Sequence, residues 1–345
     1  MIKLQWDAHV VEKHKAYVVC KVKANIRRHQ EKQKKSLLQY PQFYLELMTA
    51  LLESGRLETI AVGSMENCEK QLNNIKGECS WPQELEVRDI KFILSLFSYD
   101  AFSDAEYKPE SEVAKDWSAY ELMLSGNIRV CSFCNRQYIT PFYVQKNRGD
   151  NPQIFKMRGQ FDHFYPKSKY PLFALSLYNL VPCCAFCNTA KLEKTLLIKD
   201  NGKTLTPYNT SFANYFRFRL KEIDSPVIEI EHLSDNIEEY TSMFRLEEQY
   251  NFHANLAEEL RKKRSLYPDS QLEELFVQNK PLFHSVDEVR ELVIGIMLNK
   301  ERFNEEALSK FRRDIAVQLG FLDDFPKLVL SEYKGRLEKA VKKLG

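Results

Sequence analysis

Residues 131–194 decide the fold, and they read CSFCNRQYITPFYVQKNRGDNPQIFKMRGQFDHFYPKSKYPLFALSLYNLVPCCAFCNTAKLEK. Two Cys-x-x-Cys pairs, Cys131/Cys134 and Cys184/Cys187, lie towards the two ends of this stretch. Each pair has the spacing of a knuckle that offers two thiolates to one metal ion, and two knuckles complete the tetrahedral four-cysteine site typical of structural zinc. The cysteines therefore predict a bound zinc ion.

Cys183 directly precedes Cys184 and is an alternative ligand. Choosing Cys184 preserves the Cys-x-x-Cys spacing with Cys187, so we expect Cys183 to be a packed thiol. A closed site of four thiolates has no open position for water. The zinc is therefore expected to contribute folding free energy and to take no part in chemistry.

The composition is that of an ordinary soluble globular protein, with 345 residues, 44% hydrophobic and 28% charged, and a net charge of +2. Such a charge does not by itself predict nucleic-acid binding, which would need local basic clusters. No apolar run approaches the roughly 20 residues that span a bilayer, so no membrane association is expected. The first residues lack the apolar core of a signal peptide. We therefore expect a cytoplasmic protein, whose reduced cysteines favour a metal over disulfides.

Helical patterns dominate on both sides of the central stretch. Residues 12–35 carry many Lys and Arg side chains, which form either the solvated face of a long helix or a phosphate-contacting surface, and part of the run also alternates like a strand. Alternating runs at 214–220 and 226–231 predict short strands. Further helices are predicted over 41–54, 82–97, from 110 to 125, 188–196, 242–263, 269–279, 285–300, 304–320 and 327–344. The chain thus reads as an α+β protein in three parts: a mostly helical region over 1–125, a zinc-containing module over 126–210, and short strands followed by helices over 211–345.

The insert between the two knuckles carries an Asp-His pair within GQFDHFYP, residues 159–166. The aromatic residues suit a strand, in which Asp162 and His163 would point to opposite faces. For both to serve one site the strand must bend or end there, and Pro166 is a reason for it to end. Asp162 offers a hard anionic oxygen suited to Mg²⁺, and His163 is a candidate general base because its ordinary pKa lies near working pH.

Other polar side chains follow the Asp-His pair. Asn188 is expected at the start of the helix over 188–196, where its carbonyl oxygen can bind a cation and the helix N-terminus favours a phosphate. Lys167 and Lys191 are the candidate phosphate-binding residues. Asn179 is expected to hydrogen-bond to backbone and hold two strands in register. A carboxylate, an amide oxygen, an imidazole and lysines together suit metal-assisted hydrolysis of a phosphodiester.

This stretch resembles HNH endonucleases of the ββα-metal type, in the version whose zinc knuckles flank the active hairpin and helix. Asp162-His163, Asn179 and Asn188 match the family pattern as an asparagine-terminated variant. The resemblance implies that His163 activates water and that Asp162 and Asn188 hold one Mg²⁺ or Mn²⁺ ion. It also implies that Asn179 orients the loop of His163. The fold expected is therefore a small central ββα-metal module, stapled by the zinc and its four cysteines, between helical flanks.

The flanks are similar to those of bacterial HNH proteins encoded beside ATPases in anti-phage systems, including the Septu-type nuclease subunit. That similarity implies a DNA endonuclease acting as a defence effector with an ATPase partner. The chain contains no Gly-x-x-x-x-Gly-Lys-Ser/Thr loop of its own, so any ATPase activity must come from a partner. Two alternatives stay open. One is an RNase with the same catalytic set, and the other is a non-catalytic, zinc-stabilised module that docks nucleic acid or protein. The second would be marked by loss of His163 or of the metal ligands, which the sequence retains.

Overall fold

The computed structural model describes residues 1–322, except residues 2, 36, 38, 105–116, 149–150 and 201. Within these residues the protein is a mixture of helices and small antiparallel strand pairs, which confirms the α+β class. The helices are α1 Ala8–Lys34, α2 Gln42–Leu51, α3 Arg56–Val62, α4 Met65–Glu78, α5 Val87–Phe97, α6 Tyr99–Asp104, α7 Ala119–Ser125, α8 Ala185–Lys191, α9 Glu238–Met243, α10 Leu246–Asn251, α11 Ala254–Leu266, α12 Asp269–Gln278, α13 Val286–Arg290 and α14 Ser309–Gln318. The strands are β1 Phe142–Arg148, β2 Asn151–Met157, β3 Gln160–His163, β4 Leu180–Cys183, β5 Lys199–Asp200, β6 Lys203–Thr204, β7 Phe216–Leu220 and β8 Ile228–His232, each odd-numbered strand pairing with the next.

Two compact units make up the chain. The N-terminal unit comprises Gln5–Ile128 and Ile139–Leu196. The C-terminal unit comprises Met1–Leu4, Arg129–Tyr138 and the described residues from Leu197 onwards. The three-part division by sequence pattern stays a prediction, because spatial compactness and sequence pattern group residues by different criteria.

Helix α1 is central to the N-terminal unit, where it packs against α3, α5 and α7. The run that alternates like a strand is helical, and the adjacent residues Asn25 and Ile26 are both buried, which a helix face allows and the strict alternation of a strand does not. The predicted helix over 41–54 corresponds to α2, and that over 82–97 begins later, as α5. The predicted C-terminal helix, and the first part of the helix predicted after Pro109, lie outside the described residues.

The strand pair β3–β4 and helix α8 carry most of the predicted site residues of the N-terminal unit. β3 and β4 are antiparallel, and α8 follows β4 directly and packs on β3. The loop between the strands contains two short 3₁₀ turns, Pro171–Phe173 and Leu177–Asn179, which both pack on α3, while the first also packs on α5. The N-terminal helices thus support the loop that closes this strand pair. The insert after Cys134 contributes the separate hairpin β1–β2.

The C-terminal unit is built on the predicted strand pair, now β7–β8. Helix α14 packs on β7 and α10 packs on β8. Three buried aromatic rings fill this core, with centroids 4.0 Å apart for Phe218 and Tyr250 and 5.2 Å apart for Tyr250 and Phe311. The hydrophobic alternation was a correct guide to the buried face of β7, whereas in β8 Ile228 is buried and Ile230 only partly so.

Three predicted C-terminal helices are shorter than the sequence pattern indicated. The helix over 242–263 is broken, because Arg245 has a left-handed φ of 49° between α9 and α10. The helix over 285–300 ends early in a π turn that closes at Gly295, with a φ of 73°. Leu308, with a φ of 64°, delays the start of α14 to Ser309. Arg245, Gly295 and Leu308 are left-handed, which hydrophobic periodicity does not reveal, whereas the further break between α10 and α11 has negative φ values at Phe252 and His253.

Candidate active site

One cavity of about 410 Å³ in the N-terminal unit is lined by four of the predicted site residues, Asp162, His163, Lys167 and Asn188. Asp162 and His163 are the last two residues of β3, paired with Val181 and Leu180, and both line the cavity at this end of the strand. Asp162 is 2% exposed and His163 is half-buried. A carboxylate, an amide and an imidazole therefore meet in one pocket.

The ring of His163 is held by a backbone carbonyl. Its Nε2 lies 3.0 Å from the oxygen of Ala174. Because a carbonyl oxygen only accepts, the neutral ring carries its proton on Nε2 and keeps the lone pair on Nδ1. Burial lowers the pKa of His163 to about 3, the Ala174 hydrogen bond partly opposes this effect, and the cationic Lys167 and Lys191 add to it. The imidazole is therefore neutral near pH 7, with an unprotonated Nδ1.

Helix α6 supplies one wall of the cavity. The Tyr99 ring meets His163 edge to face, with centroids 4.4 Å apart. Lys167 Nζ lies 5.0 Å from the Tyr99 ring centroid and 3.4 Å from an Asp100 carboxylate oxygen. The sharp turn from α5 into α6 is made at Ser98, whose φ of 52° is left-handed. This turn sets Tyr99 against the catalytic candidate.

Asn179 is completely buried and hydrogen-bonds to backbone at both ends of its amide. Its Oδ1 accepts from the Tyr165 N–H at 2.7 Å, and its Nδ2 donates to the carbonyls of Tyr165 and Phe173 at 3.1 and 3.0 Å. Asn179 also accepts, through its own carbonyl, the N–H of Phe164 at 2.9 Å. These bonds fasten the segment after His163 to the start of β4, which is the backbone contact expected from sequence.

The start of α8 differs from the prediction. Cys184 is the N-cap, and its Sγ accepts a hydrogen bond from the Cys187 N–H at 3.4 Å. Asn188 lies inside the helix, with its own N–H bonded to the Cys184 carbonyl at 3.0 Å. The expectation that Asn188 begins a helix and adjoins free N–H groups was therefore wrong, because the knuckle itself starts the helix.

The side chain of Asn188 nevertheless faces the cavity. Its Nδ2 donates to Gln160 Oε1 at 2.8 Å. This bond occupies the amide nitrogen and not the carbonyl oxygen Oδ1, the atom that a cation would need. Asp162 and Asn188 thus fit the oxygen ligands expected for Mg²⁺ or Mn²⁺.

Lys191 lies elsewhere than expected. Its side chain is fully buried, and Nζ lies 3.0 and 3.2 Å from the two carboxylate oxygens of Asp162. Nζ also donates to the carbonyl oxygen of His163 at 2.7 Å. A phosphate contact of Lys191 has no place in this arrangement, because a buried, hydrogen-bonded ammonium does not reach a substrate. The side chain of Lys167 is 39% exposed and is therefore accessible to a phosphate.

The four knuckle cysteines form the predicted group. The Sγ atoms of Cys131, Cys134, Cys184 and Cys187 all lie within 4.8 Å of one another, and the four residues are buried. A Zn–S distance of about 2.3 Å requires sulfur atoms roughly 3.8 Å apart, so the cluster fits a tetrahedral ion such as zinc. Cys184 belongs to this group, as its spacing predicted, while Cys183 is buried in β4.

Sequence reasoning missed Tyr99, Arg158 and Gln160 among the residues lining the cavity. Gln160 lies two residues before Asp162 in β3 and therefore on the same face, a signal that was available. Arg158 is held by Ser103: the Nη2 of Arg158 donates to the carbonyl oxygen of Ser103 at 3.1 Å and to the Ser103 Oγ at 2.9 Å. Nothing local in the sequence connects Tyr99 or Ser103 with the Asp-His segment.

In the part of the chain that the structure describes, no helix combines the length and apolarity needed to cross a membrane. Comparisons with protein-family models, curated proteins and solved structures gave no match to this chain.

Proposed function

We propose that this protein is a metal-dependent endonuclease of the HNH type that hydrolyses DNA phosphodiester bonds. The observation that carries the proposal is the cavity shared by Asp162, His163 and Asn188 at the end of a strand–strand–helix unit. A carboxylate oxygen, an amide oxygen and a neutral imidazole are the groups required for water activation beside a divalent cation.

His163 is the proposed general base. Its Nδ1 takes the proton of the attacking water, while Nε2–H stays bonded to Ala174. The water oxygen forms a bond to phosphorus, the bond from phosphorus to the 3′ oxygen breaks, and a solvent water gives a proton to that oxygen. Tyr99 limits rotation of the imidazole. Asn179 holds the segment that follows His163 and so keeps the base in position.

Asp162 and Asn188 are the proposed ligands of a Mg²⁺ or Mn²⁺ ion. Such an ion supplies Lewis-acid stabilisation of the charge that develops on the phosphate and on the leaving oxygen. Lys167 is the proposed contact to the substrate backbone, in place of the buried Lys191. Backbone contacts carry no base information, so low sequence specificity is expected of this site by itself.

The biological setting follows from the resemblance of the flanks. We propose an anti-phage effector in the cytoplasm that works with an ATPase partner. An RNase remains the second candidate, because the same groups hydrolyse either backbone.

The test is nicking of supercoiled plasmid by zinc-containing protein with Mg²⁺ or Mn²⁺ added or omitted. His163→Ala is expected to reduce the cleavage rate by about 10²–10⁴-fold, the contribution typical of a positioned general base. Omission of the added cation is preferable to a chelator, which would also remove structural zinc. Parallel reactions on single-stranded DNA and structured RNA separate the DNase from the RNase.

His284→Ala is the matched control, since it removes an exposed histidine of the C-terminal unit. It should cleave at the wild-type rate. Circular dichroism and zinc content should be equal in all three proteins. Cleavage by His163→Ala at the wild-type rate, or wild-type cleavage that does not depend on the added cation, would contradict the proposal.

A further inference from the structure

The buried pair between Lys191 and Asp162 is the least ordinary feature of the cavity. Lysine is among the residues least often fully buried, yet the Lys191 side chain has 0% exposure at the end of α8. Its ammonium lies nearly equidistant from both carboxylate oxygens of Asp162, at 3.0 and 3.2 Å. A third contact, 2.7 Å to the His163 carbonyl, fixes Nζ on the backbone of the Asp-His pair itself.

Asp162 faces both the cavity and the protein interior. It lines the cavity, and it is also the partner of an ammonium that approaches from the protein interior. A buried carboxylate needs a compensating positive charge, because taking an ion out of water is costly. Lys191 supplies that charge from within the chain, whereas a divalent cation would supply it from the cavity. Two positive groups therefore share one carboxylate.

We propose that Lys191 is an internal counter-cation of the divalent-ion site, which keeps Asp162 neutralised before the ion binds and weakens the binding of that ion. The inference rests on the proposed function, because it takes Asp162 as a cation ligand. Lys191 is thus a positioning residue that sets the concentration of Mg²⁺ or Mn²⁺ at which the site fills. Lys191 lies on the same helix as Asn188, three residues after it.

The direction of the effect follows from charge. An ammonium and a divalent cation on one carboxylate repel each other, and the repulsion is strong where water does not screen it. Without Lys191, the buried charge of Asp162 is compensated only when the cation is bound. Replacement of Lys191 by a neutral side chain should therefore tighten cation binding and make folding depend on the cation.

The experiment uses full-length, zinc-containing protein and Mn²⁺ as the probe, with free Mn²⁺ measured by electron paramagnetic resonance and stability by thermal unfolding. Lys191→Met is expected to bind Mn²⁺ at least tenfold more tightly than wild type, and its Tm should rise more on addition of Mn²⁺. The matched control is Lys194→Met, which removes an exposed lysine from the segment that follows α8 and should behave as wild type. The double variant Asp162→Asn/Lys191→Met removes both charges and should show neither effect.

Each outcome has one meaning. Lys191→Met that is unfolded alone but folds when Mn²⁺ is present supports the inference. Binding at or below wild-type affinity, or a variant unfolded both with and without Mn²⁺, overturns it. If Asp162→Asn and wild type bind Mn²⁺ alike, the proposed cation site itself fails, an outcome distinct from failure of the role of Lys191 alone.

Discussion

The hydrogen bonds of the buried His14 side chain require the neutral imidazole. Nε2 lies 2.8 Å from the carbonyl of Leu175, and Nδ1 accepts a hydrogen bond from Trp117 Nε1 at 3.1 Å. Both contacts require the neutral ring with its proton on Nε2, since a proton on Nδ1 would face the indole N–H. Burial lowers the pKa of His14 to about 4, and the bond to Leu175 opposes this only in part.

The lowered pKa predicts a loss of stability in mild acid. Because the folded-state pKa of His14 lies near 4 and the unfolded value near 6.5, the unfolded chain alone takes up the proton between these two pH values. The free energy of unfolding should therefore fall as the pH drops through this window, by up to about 1.4 kcal/mol per pH unit and about 3 kcal/mol in all. Urea denaturation between pH 7 and pH 4 measures this slope.

His14→Gln should flatten that slope, and His284→Ala serves as its control. Some dependence should remain in the variant, because burial also lowers the pKa of His163. If the free energy of unfolding of His14→Gln fell with pH as steeply as that of wild type, His14 would not be the group responsible for the loss of stability in acid.

At the scale of elements, the position of β3 depends on close contact at Gly159. An added Cβ would lie 2.6 Å from the Cβ of Ile139 and 3.1 Å from the backbone oxygen of Cys183. The Gly159 N–H also bonds to the Ile139 carbonyl at 3.2 Å. The segment therefore has no room for a side chain immediately before the strand that carries Asp162.

Gly159→Ala is expected to lower the free energy of unfolding by about 1–3 kcal/mol, the usual result of overpacking. The matched substitution is Gly77→Ala in α4, where nothing lies within 4 Å of the added Cβ. That change should stabilise the protein by up to about 1 kcal/mol, because alanine is the better helix former. Denaturation curves of the two variants give their free energies of unfolding. Equal changes in this free energy for Gly159→Ala and Gly77→Ala would argue against a steric cause.

Helix α8 shows why element boundaries near the site were hard to predict. The prediction began this helix at Asn188, whereas the Cys184 knuckle begins it at Ala185. The shift of three residues moves Lys191 from the middle of the predicted helix to its last turn, where its side chain is buried against Asp162. Periodicity alone could not distinguish the two registers, because a knuckle cap depends on sulfur geometry.

For the molecule as a whole, the cysteine cluster predicts dependence on a bound metal. Cys184→Ser should lose zinc and unfold at a lower temperature, since one of four thiolates is removed from the group within 4.8 Å. Cys183→Ser, a change to the neighbouring buried cysteine, should retain about one zinc ion per chain. Metal analysis and thermal unfolding decide the matter, and zinc loss in Cys183→Ser with retention in Cys184→Ser would reverse the assignment.

Much of the architecture was accessible from local pattern. The α+β class, the helix α2 and the strands β7 and β8 follow from hydrophobic periodicity, which acts over a few residues. The cysteine group follows from spacing, because Cys-x-x-Cys brings two thiolates together in any knuckle. The left-handed breaks at Arg245 and Leu308 were not accessible, since neither residue type favours a positive φ, whereas Gly295 is the residue type that commonly ends a helix in this conformation.

The sequence by itself determined the chemistry available to the knuckle segment: four thiolates at metal-binding spacing, and a carboxylate, imidazole and amide on neighbouring elements. Tertiary structure alone decided which groups meet. It brought Tyr99 from a distant helix against His163, and it buried Lys191 on Asp162 instead of exposing it to phosphate. The physical reason is that local spacing sets the direction of a side chain, while burial and charge pairing depend on contacts between segments far apart in the chain.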